Sequence, residues 1–264
     1  MNNKLLLLLG SLILVLASCK SESQAEAAEK PAGAREYYQL RVYHFANPDQ
    51  ERMLDQYFED AFIPAFHRAD LGPVGVFKAH DRSDSSLYVL LRFPSLKDCS
   101  QLNANLEKDS AFLEKAKDWI HVPHDQPPYA RMESYILHAF KGTPTMQEPE
   151  LESARSDRVY ELRSYESATE KLHELKVEMF DQGESRLFLD LGFQPVFFGK
   201  VLSGPQMPNL MYMTTHADSS AQKRNWDAFR NHPEWDRMKN MERYQNTVSH
   251  IDIFLLYPTE YSDY

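Results

Sequence analysis

Apolar and polar positions alternate from Tyr38 to Tyr43. Tyr38, Leu40 and Val42 fall on one side and Gln39, Arg41 and Tyr43 on the other. Period two with aromatic and branched residues predicts a strand. The spacing then becomes helical. Asn47-Pro48-Asp49 offers a start signal, and Leu54, Tyr57, Phe58, Ala61 and Phe62 form one stripe of an amphipathic helix. Gly72 supplies a C-terminal stop. Strands are expected over about 74–80 and 87–93, joined by the turn-rich segment 81–86. A helical stretch covers about 95–119, and a last strand runs 132–140.

The whole series then returns about 120 residues later. Tyr160, Leu162, Arg163 and Tyr165 fall on Tyr38, Leu40, Arg41 and Tyr43. Leu172, Leu175, Met179 and Phe180 mark the first helix, and Gly192 its stop. Strands follow at about 195–201, 210–215 and 249–256, with a helical stretch over 219–246. A period this long is a domain duplication rather than a solenoid. Each copy reads β-α-β-β-α-β, a ferredoxin-like unit, over 36–140 and 158–258. Residues 141–157 have linker composition, and 259–264 form a C-terminal tail. One such unit leaves a sheet face uncovered. The fold class is therefore α+β, with the tandem units forming a dimeric α+β barrel within one chain and a cavity between the sheets.

The first residues carry an address. Lys4 precedes an apolar run from Leu5 to Leu16, shorter than the ~20 residues a membrane span needs and suited to a signal-peptide core. It ends in Leu16-Ala17-Ser18-Cys19, which resembles a bacterial lipobox. Residues 1–18 are then a signal peptide and Cys19 the lipidation site. Residues 19–35 are small and polar, a flexible tether. This predicts a lipoprotein of the bacterial cell envelope, periplasm-facing or on the surface, whose partner is the membrane through its lipid anchor. Cys99 is the second and last cysteine, so no intrachain disulfide is expected. The net charge of −10, with no basic cluster, excludes a nucleic-acid footprint.

Several motifs of the second copy carry a family resemblance. They are Val159-Tyr160-Glu161-Leu162-Arg163-Ser164-Tyr165, Leu191-Gly192-Phe193-Gln194-Pro195-Val196, and Trp226 with His232-Pro233-Glu234-Trp235. This copy resembles a NIPSNAP domain. The first copy is similar more loosely, with Leu40-Arg41-Val42-Tyr43 and Leu71-Gly72 but Asn103 in place of Trp226. The resemblance implies the dimeric α+β barrel class, which includes monooxygenases, haem-modifying enzymes and proteins that only bind. It transfers no catalytic residues.

The candidate ligand-binding residues are Arg41, Tyr43, His44, His80, Arg163 and Tyr165. Each strand arginine shares a face with the tyrosine two positions on. If that face lines the inter-sheet cavity, two guanidinium groups that can clamp a carboxylate converge with two phenols. Otherwise the arginines face solvent or pair with Glu161 or a helix carboxylate, and Tyr38, Leu40, Tyr160 and Leu162 form the core. His44 and His80 could rim the cavity as general bases or haem ligands. His121 and His124 flank Pro123 in a connection, so no metal site is expected. Trp226, Phe229 and Trp235 read as core or as a ligand wall. No phosphate loop, nucleophile elbow or His-Glu-x-x-His is present. The expected function is binding of a small, partly apolar molecule in or near the inter-sheet cavity, without an assigned cofactor. The alternatives are a monooxygenase-like or haem-dependent oxidoreductase and a protein–protein module. A homo-oligomer is compatible with each.

Overall fold

The computed structural model describes residues 34–264. The apolar run, Cys19 and the tether as far as residue 33 lie outside the described residues. The strands are β1 (Tyr37–His44), β2 (Val74–Ala79), β3 (Ser86–Phe93) and β4 (Arg131–Ala139), then β5 (Val159–Glu166), β6 (Gln194–Ser203), β7 (Asn209–His216) and β8 (His250–Pro258). They close into one barrel in the order β1-β3-β2-β8-β5-β7-β6-β4, every neighbour antiparallel. Each half supplies a ferredoxin-like sheet, β4-β1-β3-β2 and β8-β5-β7-β6. The seams are β2 against β8 and β4 against β6. Closure leaves no sheet edge exposed.

Helices cover the outside of each sheet. In the first half, α1 (Pro48–Gln56), a π-helical turn (Tyr57–Phe62) and α2 (Ile63–Arg68) run on continuously, and α3 (Leu96–Leu106), α4 (Ser110–Lys115) and α5 (Lys117–Ile120) follow β3. The second half matches: α6 (Glu170–Met179), a π-helical turn (Phe180–Glu184) and α7 (Ser185–Asp190), then α8 (Ser219–Arg230) and α9 (Pro233–Lys239). Side-chain caps start them as the sequence requires. Asn47 accepts from the Gln50 amide, Thr169 from Leu172 and Asp218 from Ala221. Gly192 takes φ of 80° just past α7, a left-handed position that favours glycine.

The barrel interior is packed with side chains. Tyr38, Leu40 and Val42 of β1 meet Tyr160 and Leu162 of β5 inside it, with Phe77, Met213 and Leu256. The inter-sheet space expected to hold a ligand is therefore core, because large aromatic and aliphatic residues project into it from both sheets. Residues 259–264 are not a loose tail. Thr259 and Asp263 donate their amides to the Val76 and Val74 carbonyls, and the Tyr264 ring joins the interior cluster. The connection between the halves is also tied down, with the Met146 amide donating to the Glu36 carboxylate at 2.7 Å. The second and third cores lie between each sheet and its own helices.

Candidate functional site

Strand alternation sends Glu161, Arg163 and Tyr165 out of the barrel, beneath the second-half helices. Glu161 is fully buried. Its Oε1 accepts from Arg163 Nε at 2.6 Å and pairs with Nη2 at 2.5 Å. Its Oε2 accepts from Trp226 Nε1 at 2.6 Å and Gln222 Nε2 at 2.7 Å. The Arg163 guanidinium lies 3.8 Å from the centre of the Trp226 ring, a cation–π contact strengthened by burial. Arg163 Nη1 donates to the Tyr165 hydroxyl at 3.1 Å, and that hydroxyl shares a 2.9 Å bond with Tyr212.

A second charged pair stands opposite, on the helix layer. Lys176 of α6 donates to Glu184, at the end of the π turn, at 2.7 Å, and both side chains are almost fully buried. The ammonium is 4.8 Å from the Phe180 ring centre and 5.6 Å from that of Trp235. Burial pushes the Glu184 carboxyl up, and Lys176 and Arg163 pull it back only in part. Between the pairs lies a cavity of about 560 Å³ walled by Arg163, Tyr165, Lys176, Trp226, Trp235 and Tyr244. Its volume is that of an ordinary small-molecule site.

The first half is an internal control. Strand register matches Gln39 with Glu161, Arg41 with Arg163 and Phe93 with His216. Counting on from the strands, the buried Phe58 and Phe66 fall on the buried Phe180 and Phe188. Leu54 then falls on Lys176 and Phe62 on Glu184. The first half thus places two apolar side chains where the second places an ion pair. Tyr57 stands for Met179 and Tyr129 for Val248. Tyr57 stacks on Trp119 at 4.0 Å, and Tyr129 packs edge-on to Tyr43 at 5.2 Å. These rings occupy positions that border the open space in the second half, and leave a smaller recess of about 350 Å³ beside Tyr57 and Trp119.

The six sequence candidates are thus separated. Arg41 and Tyr43 lie under the first-half helices, with Arg41 donating to Gln39 at 2.9 Å. Arg163 and Tyr165 lie under the second, with the packed barrel between the two sets. They do not converge on one cavity, because the arginine face points outward and the leucine face inward. The pairing of Arg163 with Glu161 is the arrangement present. His44 bonds Ser86 and Glu133 at the end of β1, and His80 bonds the Arg158 carbonyl. Neither lines the pocket, and the wall of the pocket includes no histidine. Glu166, His250 and Asp252 bring donor atoms within 4.8 Å of one another, but the histidine side chain is 59% exposed and the trio forms no enclosed cage.

Sequence reasoning missed Lys176 and Glu184. It took Leu172 and Leu175 as the buried face of the helix. These two are half-buried, whereas His173, Lys176 and Met179 are buried. The available signal was the overlay itself, which sets a lysine on Leu54 and a glutamate on Phe62.

His216 adds a pH dependence. It is buried, with Nδ1 3.3 Å from Asn225 Nδ2 and Nε2 3.9 Å from Glu161 Oε2. Burial pushes its pKa down to about 4 from 6.5, against the pull of Glu161 and with help from Arg163. The unfolded chain therefore binds a proton at this site from about pH 6.5 downward, while the folded chain stays neutral until about pH 4. Stability should fall as pH drops through that window, by up to about 3 kcal/mol from this group. His216→Phe, which installs the residue of the first half, should flatten the dependence in denaturant titrations between pH 6.5 and 4. An unchanged slope would assign the effect elsewhere.

The single-chain barrel defines a protein of the dimeric α+β barrel class. The NIPSNAP family model matches residues 160–263, in its second half. Among solved structures, a candidate monooxygenase from Lactobacillus acidophilus NCFM is 11% identical, with 85% of this chain and 94% of that chain covered at a TM-score of 0.56. A candidate monooxygenase from Fusobacterium nucleatum is 9% identical, over 85% and 93%, at 0.57. An anthrone oxidase-like protein is 11% identical, over 86% and 92%, at 0.52. At these identities the likeness concerns the fold. No curated protein matches the chain.

Proposed function

We propose that this is a membrane-tethered binding protein of the bacterial envelope. Its ligand, a small and partly apolar molecule, sits between the sheet and the helices of the second half, one per chain. The observation that carries this reading is the difference between the halves. Equivalent positions are filled by Tyr57, Trp119 and Tyr129 in one, and stand open around two buried ion pairs in the other. Buried charge is costly where structure alone is served, and the first half shows that this fold packs without the Lys176–Glu184 pair, with Leu54 and Phe62 in its place. The lipobox-like Cys19 supports the tether, and no helix among the described residues is long and apolar enough to cross a membrane.

Native mass spectrometry of the chain purified from its own host tests the reading. A small molecule should accompany the wild type. It should be lost from Ile251→Trp, which adds bulk at a half-exposed position on the pocket wall. Wild-type protein without a bound molecule, or equal retention by the variant, contradicts it. An oxidoreductase is the second reading, favoured by the raised Glu184 carboxyl and the Tyr165 phenol on the wall of one pocket and by the fold shared with the candidate monooxygenases. Under it, the released molecule changes mass on incubation with protein and air. Under the binding reading it does not.

A further inference from the structure

We propose that the ligand of the second-half pocket is an aromatic anion, a planar ring system carrying a carboxylate or an ionised phenol. The inference rests on the binding reading above and names the chemistry of its ligand. Four cations border the cavity, Arg163, Lys176, Arg230 and Lys239, against one carboxylate, Glu184. Three of the matching acids stand outside that wall. Glu161 lies behind Arg163, Asp227 holds Arg230 at 2.6 Å and Asp236 holds Lys239 at 3.0 Å. The surface a ligand meets is therefore cationic, although the region as a whole is balanced.

The donors have capacity to spare. An arginine has five N–H groups. Glu161 and Tyr165 take three from Arg163, which leaves two for a ligand. An ammonium has three. Glu184 takes one from Lys176, and the Met179 sulfur, at 3.5 Å, is a weak acceptor for a second. Arg163 is also pre-set. The Trp226 face and the Glu161 carboxylate fix its plane before any ligand arrives, so little side-chain entropy remains to be lost on binding. Around these charges the walls are rings, Tyr165, Trp226, Phe229, Trp235 and Tyr244, which favour offset or edge-on contact with a flat aromatic guest. At the positions of the first half equivalent to Lys176 and Glu184 stand Leu54 and Phe62, so the selectivity belongs to the second half alone.

Three probes with one carbon skeleton test the inference: 2-naphthoate, 2-naphthamide and 2-naphthylmethylammonium. Each is titrated into the full chain by calorimetry, and the anthracene analogues are used in parallel. The carboxylate should bind about tenfold or more tighter than the amide, and the ammonium weakest. The preference should shrink as salt rises. In Lys176→Leu/Glu184→Phe, which installs the pair found in the first half, the carboxylate preference should shrink severalfold, because the Lys176 donors are gone while Arg163 keeps its two. Equal affinities for carboxylate and amide in the wild type, or tightest binding of the ammonium, overturn the anion inference and leave the pocket reading standing. Failure of every naphthalene and anthracene probe to bind overturns the pocket reading as well. A preference as large as the wild type's in the double variant removes Lys176 from the site and overturns its role as an anion donor.

Discussion

Lys176→Leu should destabilise the chain by roughly 3–5 kcal/mol, because it strands a buried carboxylate. Glu184 is 2% exposed, and the hydrogen bond it accepts from Lys176 is 2.7 Å long. With the ammonium gone, the carboxyl must either stay charged in a poor environment or take a proton, and its already raised pKa favours the proton. That route holds the loss toward the lower end of the range. Adding Glu184→Phe should restore stability to the wild-type level or raise it by about 1–4 kcal/mol, since buried ion pairs are commonly matched by well-packed apolar groups. Leu54 and Phe62 show the same pair accommodated at the equivalent place in this chain. Urea denaturation of the wild type and both variants reads the effect. Similar losses in single and double variants would mean that the pair is held by something other than mutual neutralisation.

Glu161→Ala should cost about as much, roughly 3–5 kcal/mol, for the mirror-image reason. The carboxylate is the acceptor for Arg163, Trp226 and Gln222 together. Its removal leaves a guanidinium that is 13% exposed without an anion, and two side-chain N–H donors without acceptors. The indole would lose both its hydrogen bond and the fixed position of the cation above it. Glu161→Gln keeps an acceptor oxygen, as Gln39 does for Arg41 at 2.9 Å, and should recover about half the loss. Denaturant titration followed by tryptophan fluorescence checks both. If the glutamine variant is as damaged as the alanine variant, charge rather than hydrogen bonding holds the cluster.

Much of the architecture could be read from residue spacing. The echo of Tyr38-Gln39-Leu40-Arg41-Val42-Tyr43 in Tyr160 to Tyr165 identified two matching halves; period two marked the opening strand of each, and turn signals with the overlay placed the other six. The direction of each strand face was less legible. Closure of the barrel buries both faces, one against the opposite sheet and one against the helices, so Tyr38 and Tyr43 are equally well buried. Burial of an arginine beside a tyrosine then points to no particular side. The helix face in the second half was misread for a different reason. Leu172 and Leu175 compete with His173 and Lys176 for the inner side, and apolar spacing favours the leucines. The π-helical turn at Phe180–Glu184 carries the chain on with Phe180 and Phe188 inward, and this phase keeps Lys176 and Glu184 inside with them. Only a partner of opposite charge eight residues away makes that placement tolerable, and such a partner is visible in sequence only if the phase is already known.

The central claim is that the ligand site is the sheet–helix pocket of the second half and not the barrel interior or the first half. The chain has three tryptophans, placed to decide this. Trp226 and Trp235 line the pocket, and Trp119 is stacked on Tyr57 in the first half. Fluorine NMR of 5-fluorotryptophan-labelled protein, assigned with single Trp→Phe variants, follows all three during titration with 2-naphthoate. The Trp226 and Trp235 resonances should shift to saturation while that of Trp119 stays in place. A shift of Trp119 alone, or saturable binding that moves neither pocket tryptophan, would contradict the account.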